Sequence, residues 1–285
     1  MGTITAQLNF LKPIDSYKTE KPYWLFIGKP ETAPDVDLTN VVTETVTDIP
    51  VHDVRGHEEK YSLDEHGFQF IKHNQTFQAF EDEERIKTEF LPQVEKVIRE
   101  NVPYVERVLV YDWRVRKEIT EGDPEFITPL QVQDRNYPLA PSIIVHTGKI
   151  LEQTSCESTA NREDTTEFTI LKRLKAELPE EAERLAKGRI QMINFWRPMY
   201  DEVKNWPLIV CDGRTLQTDS LVAVDQVSRR FVGDVYYATY DPQNKWHYQS
   251  SMGSHEGVLF KSWDTAKNIP SKGEGSWSSP VAIHT

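Results

Sequence analysis

The sequence is poor in the features that mark whole classes of protein. It has two cysteines in 285 residues, Cys156 and Cys211. They are too few and too far apart for a disulfide scaffold or a Cys-rich zinc site. Basic residues are in deficit: 33 Lys and Arg stand against 45 Asp and Glu, for a formal charge of -12. No basic run is present, which argues against nucleic acid or an anionic membrane surface as a partner. No stretch approaches ~18 consecutive apolar residues, so no membrane span is expected. The opening Met1-Gly-Thr-Ile-Thr-Ala-Gln-Leu8 lacks the basic and apolar regions of a signal peptide. Ala6 breaks the myristoylation pattern. A cytoplasmic protein is therefore the expectation. There is no Gly-rich phosphate loop, no nucleophile elbow and no His-Glu-x-x-His pair. No internal repeat or composition break divides the chain, and one domain over residues 1–285 is expected.

What is present is aromatic and strand-like. There are 7 Trp, 11 Tyr, 12 Phe and 8 His. Short β-type runs cover Ile4 to Leu11, Trp24 to Ile27, Asn40 to Val46, Arg107 to Arg114 and Ser142 to Thr147. Later runs cover Gln191 to Trp196, Leu208 to Cys211, Phe231 to Tyr240, Lys245 to Gln249 and Val258 to Trp263. Ile86, Phe90, Val94, Val97 and Ile98 recur at helical spacing, which predicts a helix over about residues 81–101. A second helical segment is expected over about 165–187, with Pro179 in the first turn of its second half. The pattern predicts a mainly β core, sandwich or barrel, buttressed by two helical segments. One histidine, His146, ends a buried strand. By itself such a histidine is more often a satisfied core residue than a ligand.

Several segments, in order along the chain, resemble the AsaB-type hydroxylase/desaturase family, which includes CmcJ-like proteins. They are Val51-His-Asp-Val-Arg-Gly56, Tyr61-Ser-Leu-Asp-Glu-His-Gly-Phe68, Phe90-Leu-Pro-Gln-Val-Glu95 and Arg114-Val-Arg116. Further on come Ile193-Asn-Phe-Trp-Arg-Pro-Met199 and Trp206-Pro-Leu-Ile-Val-Cys-Asp-Gly-Arg214. Last are Lys245-Trp-His-Tyr248 and Glu256-Gly-Val-Leu-Phe-Lys-Ser-Trp-Asp264. The resemblance implies a double-stranded β-helix of jelly-roll or cupin type. It also implies iron and 2-oxoglutarate chemistry, in which His-x-Asp and a distal His leave open positions on Fe(II).

The departures from that pattern are as telling. The His-x-Asp position reads His146-Thr147-Gly148, so the carboxylate is missing. The distal-His segment aligns with Gly273-Glu-Gly-Ser-Trp277, placing Glu274 or a neighbour there. No Arg-x-Ser follows before Thr285. The family's His-Arg-Trp-Tyr-Tyr becomes Asn244-Lys-Trp-His-Tyr248.

These losses resemble a degenerate branch, the EupF-like hetero-Diels–Alderases of fungal tropolonic sesquiterpenoid biosynthesis. That resemblance implies dehydration of a hydroxymethyl tropolone or polyketide to an o-quinone methide, then cycloaddition to a humulene-type sesquiterpene. No metal or redox cofactor is then expected. The partners are two small molecules, with a homodimer as the base-rate assembly. Two alternatives stay open. One is an iron oxygenase or halogenase with altered ligands. The other is a non-catalytic partner subunit of an oxygenase.

On this reading the candidate catalytic side chains are His146, Arg197, His247 and Lys261. His146 is an acid/base or orienting group, or an inert remnant. Arg197 is a pocket cation or a salt-bridge partner. His247 points inward or outward on its strand. Lys261 is costly to bury alone, and Asp264 is its candidate partner. Phe195, Trp196, Tyr236, Trp246, Trp263 and Trp277 are candidate substrate-binding walls, or core.

Overall fold

The computed structural model describes residues 2–27, 35–118, 137–149, 170–171, 173–228, 232–266, 269–272 and 282–284. Two sheets carry the fold. The larger has nine strands in the order β1 (Thr3–Leu11), β3 (Thr43–Asp53), β10 (Trp246–Tyr248), β7 (Leu208–Cys211), β12 (Ala282–His284), β5 (His146–Lys149), β9 (Val232–Ala238), β8 (Leu221–Ser228) and β2 (Tyr23–Phe26). The smaller sheet runs β4 (Phe68–Lys72), β11 (Glu256–Asp264) and β6 (Gln191–Trp196), all antiparallel.

The mainly β expectation holds. β6 and β7 have the expected ends, whereas β4, β8 and β12 carry no expectation from the sequence. The run from Arg107 to Arg114 forms no strand. Its neighbours Val105, Val108 and Val110 instead pack under the helix, since β-type side chains make a strand only beside a partner edge.

The expected first helix is present from Glu83 to Asn101. It comprises α1 (Glu83–Arg85), a π-turn over Ile86–Phe90 and α2 (Leu91–Asn101). Pro92 lies in the first turn of α2 and brings no N–H. The Leu91 N–H bonds the Ile86 carbonyl, the widened register of a π-turn. The Asp82 carboxylate caps the start by accepting from the Arg85 N–H. In the second expected segment, residues 173–177 are helical and α3 (Ala182–Leu185) adds one turn; residues 165–169 lie outside the described ones.

Alternation on the small sheet explains the layering. Ile71, Leu259, Ile193 and Phe195 face the helix and pack with Val94, Val97 and Ile98. Phe68, Phe70, Val258 and Trp196 face the large sheet and pack with Leu208 and Val210. The next residues on β7, Ile209 and Cys211, enter the main core with Phe10, Val51, Tyr236 and Trp246. Thus β7 is buried on both faces, and all four of its residues are apolar and buried.

Candidate active site

His146 is placed by two neighbouring chains. The Val145 N–H donates to the Asn9 carbonyl at 2.9 Å, and the Val145 carbonyl accepts from the Ala238 N–H at 3.1 Å. The Asn9 side-chain amide holds the Ile143 carbonyl at 3.1 Å. β1 and β9 therefore fix the segment entering β5, where His146 lies opposite Tyr237 on β9 and Ala282 on β12.

The half-buried imidazole is held by its own backbone. Nδ1 lies 2.8 Å from the Ile144 carbonyl oxygen and 3.2 Å from Ser142 Oγ. A carbonyl accepts only, so Nδ1 carries the proton and Nε2 keeps its lone pair. Burial pushes the ring down to about 4; the Ile144 bond opposes this, and the Arg116 cation adds to it. The ring is neutral at pH 7. Arg116 donates to the Ala140 carbonyl at 2.6 Å and has no carboxylate partner among the described residues. A neutral base beside a cation suits an anionic or phenolic oxygen.

The iron site of the resemblance can be tested here. His146 has the donor geometry of a metal-bound histidine, with Nδ1 tied and no partner for Nε2 among the described residues. Position 148 is glycine and offers no ligand atom. Among the described residues, no group of three His, Cys, Asp or Glu is placed to hold a metal. The described residues thus supply one ligand and do not complete a triad. Glu274 and Trp277 lie outside the described residues.

The other candidates do not gather around His146. Arg197 is bound by its own turn: Nε donates to the Pro198 carbonyl at 2.8 Å, Nη2 to Met199 at 3.1 Å and Nη1 to Gln75 Oε1 at 2.9 Å. Its guanidinium lies over the Phe80 and Phe90 rings, at 5.6 and 5.9 Å. That is a structural clamp between β4's exit and the helix.

Lys261 is fully buried and closed into an ion cluster. Its Nζ lies 2.7 Å from both Asp64 and Asp264, and Arg189 reaches the same two carboxylates. Arg189 and then Lys261 hold the Asp64 carboxyl down to about 2, against its partial burial. The expected Lys261–Asp264 pair is present; Asp64 and Arg189 carried no such signal, being far off in sequence.

His247 is buried between the sheets, with its ring 5.0 Å from Tyr61, 5.5 Å from Phe68 and 5.6 Å from His52. Neither ring nitrogen has a hydrogen-bond partner among the described residues. Burial pushes it down to about 4 despite nearby Asp212.

The aromatic candidates divide by strand face. Phe195 meets His73 edge-on at 5.5 Å on the helix side, and Trp196 faces the large sheet. Tyr236, Trp246 and Trp263 share the main core with Val145, next to His146. Tyr236 and Trp246 are at most 2% exposed, so they fill that core. The residues that the sequence did not single out are Arg116, Ser142 and Asn9. Their signal is weak: Arg116 and Asn9 act through the Ala140 and Ile143 carbonyls, and Ser142 touches the ring only by its hydroxyl.

The fold and site together are thus two sheets holding one fixed, neutral histidine at the start of β5. A family model described as "Oxidoreductase/YMDC permease-like domain" matches residues 8–274, and the chain belongs to that family. No described helix is long and apolar enough to cross a membrane.

The curated relatives include hydroxylase/desaturase efuI of Hormonema carpetanum, 28% identical over 76% of this chain and 71% of that protein. Hydroxylase/desaturase CTB9 of Cercospora beticola is 29% identical over 77% of this chain and 66% of that protein. Aspirochlorine biosynthesis protein N of Aspergillus oryzae is 36% identical over 34% of this chain, and the match spans 42% of its length. Among solved structures, the iron and alpha-ketoglutarate-dependent endoperoxidase NvfI superposes with a TM-score of 0.74 at 20% identity. That match covers 99% of this chain and 90% of NvfI. These relatives support the hydroxylase/desaturase resemblance; none of them is a Diels–Alderase by name.

Proposed function

We propose that this chain is an oxidising enzyme of fungal secondary metabolism, of hydroxylase/desaturase type, with an altered ligand set at its iron position. We take its two sheets as a double-stranded β-helix forming one domain. The observation that supports this most is the His146 ring, whose Nδ1–H bond to Ile144 leaves the lone pair on Nε2. The named activities of the relatives point the same way. In this reading Gly148 leaves room for a ligand from outside the polypeptide, and Arg116 favours an anionic one.

The test uses metal-stripped protein with 2-oxoglutarate under air, with and without Fe(II), and reads succinate release. Fe(II)-dependent release, lost in His146→Ala, is the expected result. No release at any Fe(II) concentration overturns the oxidising reading.

A second reading rests on the missing carboxylate at Gly148 and on Arg116 beside His146. It is a metal-independent hetero-Diels–Alderase. The neutral Nε2 of His146 takes the ring-hydroxyl proton of a hydroxymethyl tropolone and returns it to the leaving hydroxyl, so that water departs and an o-quinone methide remains. Arg116 stabilises the developing oxyanion. The heterodiene then adds to the alkene of a humulene-type sesquiterpene, which is redox-neutral. Product formation that survives chelator and exclusion of oxygen is its signature.

A further inference from the structure

A groove of about 530 Å³ opens away from His146, where three strands of the large sheet meet. Strand register builds it. β10 pairs parallel with β3, Trp246 opposite Val51, and antiparallel with β7, Trp246 opposite Cys211. The turn entering β10 therefore stands beside Pro50 on one flank and the turn after β7 on the other. Pro50, His52, Arg214, Pro242, Asn244 and Lys245 line it, and no acidic residue does.

Three observations point to an anionic ligand. First, the groove presents the Lys245 ammonium on a chain of net charge -12. Arg214 is held from behind by Asp212 and Glu65. Lys245 is exposed and has no carboxylate partner among the described residues. Second, Asn244 is 7% exposed, yet neither its Nδ2 nor its Oδ1 has a partner among the described residues. Native folds rarely leave a buried amide so without a ligand or water. Third, the lining includes two proline rings and the His52 imidazole, ring side chains that suit a planar ligand. The volume lies in the range of pockets for drug-sized molecules.

We propose that this groove binds a small aromatic carboxylate. The acid group takes the Lys245 ammonium, the ring lies against Pro50, Pro242 and His52, and the Asn244 amide meets the ligand's polar edge.

The experiment is calorimetric titration of the full chain with salicylate, and with benzyl alcohol as the uncharged control. Saturable binding is expected at or below about 1 mM, with benzyl alcohol at least about tenfold weaker. Lys245→Glu and Asn244→Leu each weaken salicylate about tenfold or more. Lys245→Gln, which removes the charge at an exposed position, repeats the loss should either variant misfold by circular dichroism. No heat with salicylate at ten times that concentration overturns the proposal. So does equal binding of benzyl alcohol. So does binding that survives Lys245→Glu and Lys245→Gln but is lost in His146→Gln, which would place the ligand at the other site.

Discussion

The Nδ1 of His146 and the carbonyl oxygen of Ile144, two residues back, are 2.8 Å apart. That one bond fixes the tautomer and leaves the lone pair on Nε2. Asn9 and Ala238 pin the same segment from either side, so the ring is pre-positioned largely by the backbone that carries it.

Restoring the missing carboxylate tests that geometry directly. Gly148→Asp restores a carboxylate two residues after His146, at the irregular step of β5 between Thr147 and Lys149. Fe(II) affinity is expected to rise about tenfold or more, a gain of about 1.4 kcal/mol. Anaerobic equilibrium dialysis measures it. An unchanged affinity would mean that His146 does not occupy a metal-ligand position.

The absence at Gly148 was legible in the sequence, because a motif departure needs only its own neighbours. The role of Arg116 was not. It approaches His146 across an isolated bridge between Arg116 and Leu139, a contact without periodicity.

His247 offers a stability test with a pH arm. Its ring is neutral in the folded protein down to about 4, whereas the unfolded chain takes a proton near 6.5. The folded-state value is depressed, so this contribution is intact above pH 6.5 and is lost as pH falls from about 6.5 to about 4. His247→Phe places an apolar ring among Tyr61 and Phe68 and removes two unmet nitrogens. Urea unfolding should show about 1–2 kcal/mol of added stability at pH 7, and a shallower loss between pH 6.5 and 4.5. A destabilised variant at both pH values would show that an unseen partner satisfies the ring.

Lys261→Met removes the ammonium of the buried cluster and leaves Asp264, which has no exposed side-chain surface, with Arg189 and the Ala266 N–H. Breaking such a pair costs about 3–5 kcal/mol. The unfolding midpoint in urea should fall accordingly with an unchanged slope. A change below about 1 kcal/mol would show that Arg189 suffices.

Gly257 lies where β11 passes tightly against β6. A Cβ there would meet the Phe195 ring at 2.6 Å and the Trp196 carbonyl oxygen at 2.8 Å. Gly257→Ala should destabilise by about 1–3 kcal/mol through overpacking, read as a lowered Tm. Pairing it with Phe195→Leu should recover part of the loss, since one of the two clashes is with that ring.

The sequence by itself determined the helix over Glu83–Asn101, the strands β6 and β7, the mainly β class and the loss of a carboxylate after His146. All of these are local, carried by period, apolar runs or a short motif. Tertiary structure decided which candidates meet. Phe195 and Trp196 are chain neighbours on opposite faces of one sheet, so only one of them faces the large sheet. Lys261 finds Asp64 across 197 residues, and that pairing turns an apparent catalytic lysine into a closed ion cluster. Charge and aromaticity are written at each position, but their partners are set by sheet order and register, which arise only when distant strands pair.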